Sequence, residues 1–146
     1  MEKIKLITKN KRAYFDYFIL DELECGIVLK GTEIKSIRLG KVSINDSYCQ
    51  VKKGIMYIID MHIAQYDFGN IFNHNEKRDK ELLLHKKELR KLENKVKLEG
   101  LAIVPLSVYL KDGLCKVKIA LCKGKKNYDK REELKKSTIN KEIRKY

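Results

Sequence analysis

Short runs in which apolar and polar residues alternate dominate this chain, and they predict strands more often than helices. Residues 14–23 (YFDYFILDEL) are dense in aromatic and branched side chains and read as a strand, which residues 26–30 continue after a short turn. A short helix follows in GTEIKSIRLG, with Thr32 as its N-cap, Ile34 and Ile37 on one face, and Gly40 as the C′ glycine. Residues 47–52 and 55–60 form a hairpin around Lys53-Gly54, and 61–66 extend its second strand. The polar stretch 67–81 reads as a surface loop. Residues 82–99 read as a helix with Leu89, Leu92 and Val96 on its apolar stripe and Gly100 as its stop. A second hairpin joins 101–110 to 114–122 around Lys111-Asp112-Gly113. Pro105, the only proline, cannot donate to a ladder and marks an edge or a bulge.

The sum is a mainly β chain of five or six antiparallel strands with two or three short helices. No βαβ alternation and no internal repeat is visible. The expected fold is a small barrel of the oligonucleotide-binding (OB) type over residues 1–123, with a β-sandwich as the alternative. Residues 124–146 differ: Leu134, Ile139, Ile143 and two tyrosines are the only large apolar side chains in a run of charges. That is too little burial to offset ordering entropy, so a basic tail is expected, mobile when free and helical once a partner supplies contacts.

Charge changes the picture more than composition does. Lys and Arg number 33 against 20 Asp and Glu, a net charge of +13, and residues 111–146 alone carry 13 basic and 5 acidic side chains. Such an excess repels itself in a compact domain, and a polyanionic partner is the natural reason to carry it. The four cysteines include no C-x-x-C pair, which argues against a zinc site, and Cys115 and Cys122 stand an odd number of residues apart, on opposite faces of one strand. Free thiols, no signal peptide and no apolar run near the roughly 18 residues of a membrane span lead to the expectation of a cytoplasmic protein without membrane contact.

Candidate chemistry is that of binding. The three histidines, His62, His74 and His85, belong to no nucleophile, phosphate-loop or metal motif, so neither catalysis nor a cofactor is expected. His62 reads as a strand residue, His74 as a loop residue and His85 as a helix-start residue. Asn10-Lys11-Arg12-Ala13-Tyr14 sets two cations beside a ring that could stack on a base, unless Tyr14 faces the core. Lys116 and Lys118 alternate with Val117 and Ile119, so one strand face would be cationic and the other apolar, with Lys123, Lys125 and Lys126 directly downstream.

Gly31-Thr32-Glu33-Ile34-Lys35-Ser36-Ile37-Arg38, then Gly40-Lys41 and Asp46-Ser47-Tyr48, resembles the G-x-E-[VI]-K-S-[LI]-R-x-G-K-x4-D-S-Y core of the tmRNA-binding small protein B family (SsrA-binding protein). Leu82-Leu83-Leu84-His85-Lys86-Lys87-Glu88 and Lys123-Gly124-Lys125-Lys126-x-x-Asp129-Lys130-Arg131-Glu132 are similar to the family as well. The resemblance implies an OB-like barrel that binds the tRNA-like domain of tmRNA and enters the A site of a stalled ribosome for trans-translation. It sets Asn10, Glu24, the Leu83 region and Lys116 against that RNA. It sends Tyr128, Asp129, Lys130 and Arg131 of the tail to the decoding centre, against 16S rRNA and the vacant mRNA channel. Elongation factor Tu with alanyl-tmRNA is expected as an indirect partner, and the protein is taken to be a monomer. Where relatives commonly read N-H-D-P before R-x-R-K-L-L-L-H, Asn75-Glu76 follow Asn73-His74 and Lys80-Glu81 replace the basic pair, so a weaker phosphate clamp is expected at 73–81. The tail stops early, at Tyr146. Two rivals remain: a generic OB-fold RNA-binding or ribosome-associated protein, and an RNA-processing enzyme.

Overall fold

Two tight turns set the frame of the computed structural model, which describes residues 3–66, 75–126 and 131. Lys53 (φ 52°) and Gly54 (φ 76°) join β4 (Tyr48–Lys52) to β5 (Ile55–Ile59), and Asp112 (φ 51°) and Gly113 (φ 82°) join β8 (Ala102–Lys111) to β9 (Leu114–Gly124). Two successive left-handed residues turn the chain with the twist that hairpin strands need. Both hairpins therefore stand where the sequence predicts them. The register of β8 on β9 shifts between Pro105 and Ser107, the bulge that the proline foretold.

Three other strands complete the large sheet: β1 (Ile4–Lys9), β2 (Tyr17–Ile27) and β7 (Lys80–Leu83). Its order is β1-β8-β4-β5-β7-β2-β9, with β8 also paired to β9, and every pairing is antiparallel. A separate two-stranded ladder joins β3 (Val42–Ser43) to β6 (His62–Ile63). The helices are α1 (Lys11–Asp16), α2 (Gly31–Arg38) and α3 (Lys86–Glu99). The main core gathers Ile37, Ile44, Met56, Ile58, Met61, Ile63, Leu92, Val117, Ile119 and Leu121, each less than a tenth exposed. Among the described residues no helix is long and apolar enough to cross a membrane, and no group of His, Cys, Asp and Glu could hold a metal ion.

Several elements depart from the sequence reading. Residues 14–16 are helical, because the Asn10 side chain accepts the Ala13 N–H and starts α1, overriding the β preference of Tyr14 and Phe15. Residues 17–27 run as one strand without a turn, and β1 is a strand that the pattern does not reveal. The cap of α2 is Lys30, not Thr32: Glu33 reaches back to accept the Lys30 N–H at 2.7 Å. Its far end is a Schellman turn, with Gly40 N–H donating to Ile37 O and Lys41 N–H to Ser36 O, and Gly40 at φ 78°. A positive φ at Asp60 (60°) breaks β5, so 61–66 do not extend it. Residues 80–83 are strand β7 rather than loop and helix, and α3 begins after His85, which occupies its N-cap.

Candidate nucleic-acid interface

Strand register assembles the open face. Leu83 of β7 lies opposite Gly26 of β2, Gly26 opposite Lys116 of β9, and Lys116 opposite Tyr109 of β8, which makes one row across four strands. The neighbouring row holds Glu24, Lys118 and Ser107. Alternation along β9 sends Val117 and Ile119 to the core and leaves Lys116 and Lys118 half-buried on the other side. Leu83 is 53% exposed although its neighbour Leu82 is buried. Three of the residues that sequence reasoning assigns to RNA, Glu24, Leu83 and Lys116, therefore meet on one face, with Lys118 beside them.

Two residues that the sequence reading missed shape this face. The Tyr109 hydroxyl donates to Glu24 Oε2 across β9, and Lys111 Nζ lies 3.4 Å from Glu24 Oε1. The Tyr109 hydrogen bond is the main reason that the Glu24 carboxyl sits below its usual range; partial burial opposes the shift, and the charges of Lys111 and Lys116 reinforce it. Tyr109 and Lys111 follow the period of two along β8, the only sequence signal that could have revealed them.

A second basic group surrounds α1 and the end of β9. Lys11, Arg12, Lys123 and Lys126 are exposed, and Tyr14 is 49% exposed, so its ring does not face the core. Arg12 lies 3.9 Å from Asp16 and 3.6 Å from Asp46, loose surface pairs worth little in water. Lys125 fixes the chain here: its backbone N–H donates to Asp16 O, its Nζ donates to Tyr14 O at 3.1 Å, and the same Nζ lies 5.1 Å from the Phe18 ring centre. Beneath α1, Ala13 packs on Val104, Leu106, Ala120 and Cys122, a small second core that ties the helix to the sheet. Lys116 and Lys123 stand seven residues apart on β9, which separates the two groups by roughly 23 Å at strand rise.

Asn10 is placed otherwise than an RNA-facing residue would be. It is 3% exposed, its Nδ2 donates to Pro105 O at 3.0 Å and Ile44 O at 3.3 Å, and its Oδ1 accepts from Ala13. The whole amide is used inside the protein, where it locks the start of α1 to the sheet. In the 73–81 stretch, Arg78 and Lys80 are likewise used inside the protein: Arg78 grips buried Glu33 (Nη2–Oε1 2.6 Å, Nε–Oε2 3.2 Å), and Lys80 is fully buried. His62 sits 3.2 Å from Glu76. Arg131 is exposed, whereas His74, Tyr128, Asp129 and Lys130 lie outside the described residues.

Known proteins converge on one family. The SmpB protein family matches residues 7–146. An SsrA-binding protein of Geotalea uraniireducens is 52% identical over 95% of this chain and 92% of its own length, and that of Halothermothrix orenii is 50% identical over 98% and 92%. A solved structure described as "tmRNA-SmpB: a journey to the center of the bacterial ribosome" matches with a TM-score of 0.68 and 45% identity, covering 90% of this chain and 93% of the other. With a row of Leu83, Lys116 and Tyr109 flanked by Glu24, and a family match over nearly its full length, this chain belongs to the SmpB family.

Proposed function

We propose that this protein binds tmRNA through its tRNA-like domain and helps deliver it to the A site of stalled ribosomes for trans-translation. The observation that carries this reading is the open face on which Glu24, Leu83 and Lys116 meet, in a chain half identical to SsrA-binding proteins. Strand cations beside an exposed leucine suit an RNA whose bases are splayed from a loop: ammonium groups take phosphates while apolar surface takes a base or ribose. The body, residues 1–123, is an OB-type barrel, and Asn10 is a positioning residue that holds α1. Lys11, Arg12, Tyr14, Lys123 and Lys126 extend the cationic surface toward the tail, residues 124–146, and Lys125 positions α1 among them. Tyr128, Asp129, Lys130 and Arg131 reach the decoding centre, its 16S rRNA and the empty mRNA channel, where cations and a stackable ring stand in for missing nucleotides. The protein acts as a cytoplasmic monomer without catalysis of its own, and elongation factor Tu carrying alanyl-tmRNA joins as an indirect partner.

The test is a paired measurement: gel-shift competition of tmRNA against tRNA and duplex RNA, and tagging of a stalled nascent chain in reconstituted translation. The full chain should prefer tmRNA and support tagging. Truncation after Lys123 should leave most binding and abolish tagging. Equal affinity for duplex RNA would overturn the tmRNA assignment, and normal tagging by the truncated chain would overturn the role of the tail.

A further inference from the structure

A carboxylate in the middle of a cationic RNA-binding face needs a reason, because it repels the phosphates that the lysines attract. Glu24 is such a group, with Lys111 and Lys116 close enough to influence its charge. It is not placed there by chance packing. One oxygen accepts from the Tyr109 hydroxyl and the other lies 3.4 Å from Lys111 Nζ, so the carboxylate plane is pinned from two directions. Tyr109 is only 6% exposed, which fixes its own ring, whereas the Glu24 side chain remains 36% exposed. A carboxylate offers about four acceptor positions, two per oxygen. The two internal contacts use one on each, which leaves acceptor capacity on both oxygens of a side chain that is a third exposed.

That remaining geometry selects its ligand. Phosphate has no proton to give it. Adenine, cytosine and uracil each present a single donor group on the Watson–Crick edge, and a ribose hydroxyl gives one. Guanine alone presents two adjacent donors, N1–H and the N2 amino group, at the spacing of two carboxylate oxygens. Unpaired loop bases are read on this edge when a protein recognises RNA by sequence. We propose that Glu24, pinned by Tyr109 and Lys111, reads an unpaired guanine of the bound RNA in a two-point hydrogen bond, and that Tyr109 is the positioning residue for that contact. This rests on the RNA-binding reading above and assigns the open face a base contact beside the phosphate contacts of its lysines.

Charge and recognition predict opposite signs. Glu24→Gln removes a negative charge from a cationic face. If Glu24 were only a charge or a packing group, RNA would bind more tightly or equally well. If it accepts from guanine, the new NH2 faces a donor, and affinity falls roughly 5- to 100-fold, the span of one two-point base contact. Tyr109→Phe keeps the ring and should weaken binding by roughly three- to tenfold through a loosened carboxylate. Neither substitution removes a phosphate contact, so the dependence of log K on log salt should keep its slope, whereas Lys116→Ala should make it shallower by about one.

The decisive experiment measures binding of the tRNA-like domain of tmRNA, with its unpaired guanosines intact or replaced by inosine, which lacks the N2 amino group. Inosine should weaken binding to the natural protein and to Lys116→Ala alike, and leave the affinity of Glu24→Gln unchanged. Tyr109→Phe repeats the cycle with an intact carboxylate, so the outcome does not hang on one variant's folding, which circular dichroism reports. Independent, additive losses from inosine and Glu24→Gln, or tighter binding by Glu24→Gln, would overturn the guanine assignment while RNA binding stands. Failure of the natural protein to bind the RNA at all would instead overturn the RNA-binding reading and this contact with it.

Discussion

Glu24 and Glu33 are two carboxylates in one small domain, both held below their usual range, Glu24 chiefly by the Tyr109 hydroxyl and Glu33 chiefly by Arg78, and they do different work. Glu33 is completely buried. Burial alone would raise its pKa, but two hydrogen bonds from Arg78, one from the Lys30 N–H, and the charges of Arg78 and Lys80 outweigh it. Every open side of that carboxylate is filled by protein. Glu24 keeps a third of its side chain in water and spare acceptor positions on both oxygens. The residue type is the same, and the difference lies in exposure: Glu33, sealed inside, organises the fold, whereas Glu24, a third exposed, has acceptor positions to offer a ligand.

The sharpest way to break this contrast is Arg78→Ala. It strips Glu33 of its bidentate partner and leaves a charge in the core, which costs about 3–5 kcal/mol of stability. Urea unfolding should show that loss, while RNA affinity at a temperature where the variant is folded should stay within about twofold, because the Arg78 guanidinium is taken up by Glu33 and the Val28 carbonyl. Replacing Glu33 and Arg78 together by apolar residues should cost much less than the single change. Loss of RNA affinity in the folded single variant would show that the buried cluster is part of the interface.

Lys80 sharpens the contrast through pH. Its ammonium donates to Met61 O at 3.0 Å and Arg78 O at 2.5 Å, yet burial lowers its pKa from 10.5 to about 8, against the charge of Glu33. Between those values the unfolded chain holds a proton that the folded chain has released, so stability rises with pH there. The gain should approach but not exceed about 1.4 kcal/mol per pH unit. Tyr109 acts in the opposite sense above pH 10, since burial and its bond to Glu24 raise its pKa. The four cysteines, whose pKa values burial raises from 9.0, oppose Lys80 as well, so the measurement over pH 8 to 9.5 is a difference against Lys80→Met, in which these groups cancel. The stability of the natural protein relative to Lys80→Met, measured by urea unfolding, should rise across that window, and a flat difference would mean that Lys80 keeps its proton in the fold.

The two clusters also show where sequence reading ends. Glu33 lies 45 residues from Arg78, and Glu24 lies 85 from Tyr109, so neither pair has a local signature. Turns were legible because Lys53-Gly54 and Asp112-Gly113 carry their geometry in their own residues. The apolar stripe of α3 was legible as well, with Leu92 buried and Leu89 and Val96 packed on the core. Leu82-Leu83-Leu84 was not, since a short apolar run suits helix and strand alike, and only its pairing with β2 and β5 decides. β1 escaped because Ile4, Lys5 and Leu6 are all exposed, so its first half has no buried face to show as alternation. Of the proposed contacts, the lysines of β9 followed from period two, whereas Asn10 was found by likeness and turned out to hold the fold.

A smaller effect separates the cations of the two regions. Lys116→Glu should weaken tmRNA binding roughly tenfold at moderate salt and flatten the salt dependence by one to two, with stability nearly unchanged. Lys125→Ala should do the reverse. Its Nζ is held by Tyr14 O and lies over Phe18, so its loss should loosen α1 and cost about 0.5–1 kcal/mol with little change in slope. Equal salt slopes for the two variants would erase the distinction between open and internally used lysines.

The smallest predicted effect concerns Gly26, which sits between Leu83 and Lys116 in the row that crosses the open face. Its φ is not in the left-handed region, so alanine is sterically allowed by the backbone and should gain about 0.4–1 kcal/mol from a less flexible unfolded chain. Against that, the added methyl would meet Leu83 Cβ at 3.3 Å, tighter than an ordinary contact. Leu83 Cβ moves only with its backbone, so β7 must shift from β2 by a few tenths of an ångström to accept the methyl. The two terms should nearly cancel, leaving stability within about 0.5 kcal/mol of the natural protein by urea unfolding. RNA binding has no such compensation. A displaced Leu83 spoils a flat apolar contact, so affinity should drop about twofold to threefold with the salt slope intact, as expected when contact rather than charge is lost. Gly26→Ala that binds tmRNA like the natural protein would remove Leu83 from the interface and confine recognition to Glu24 and the lysines.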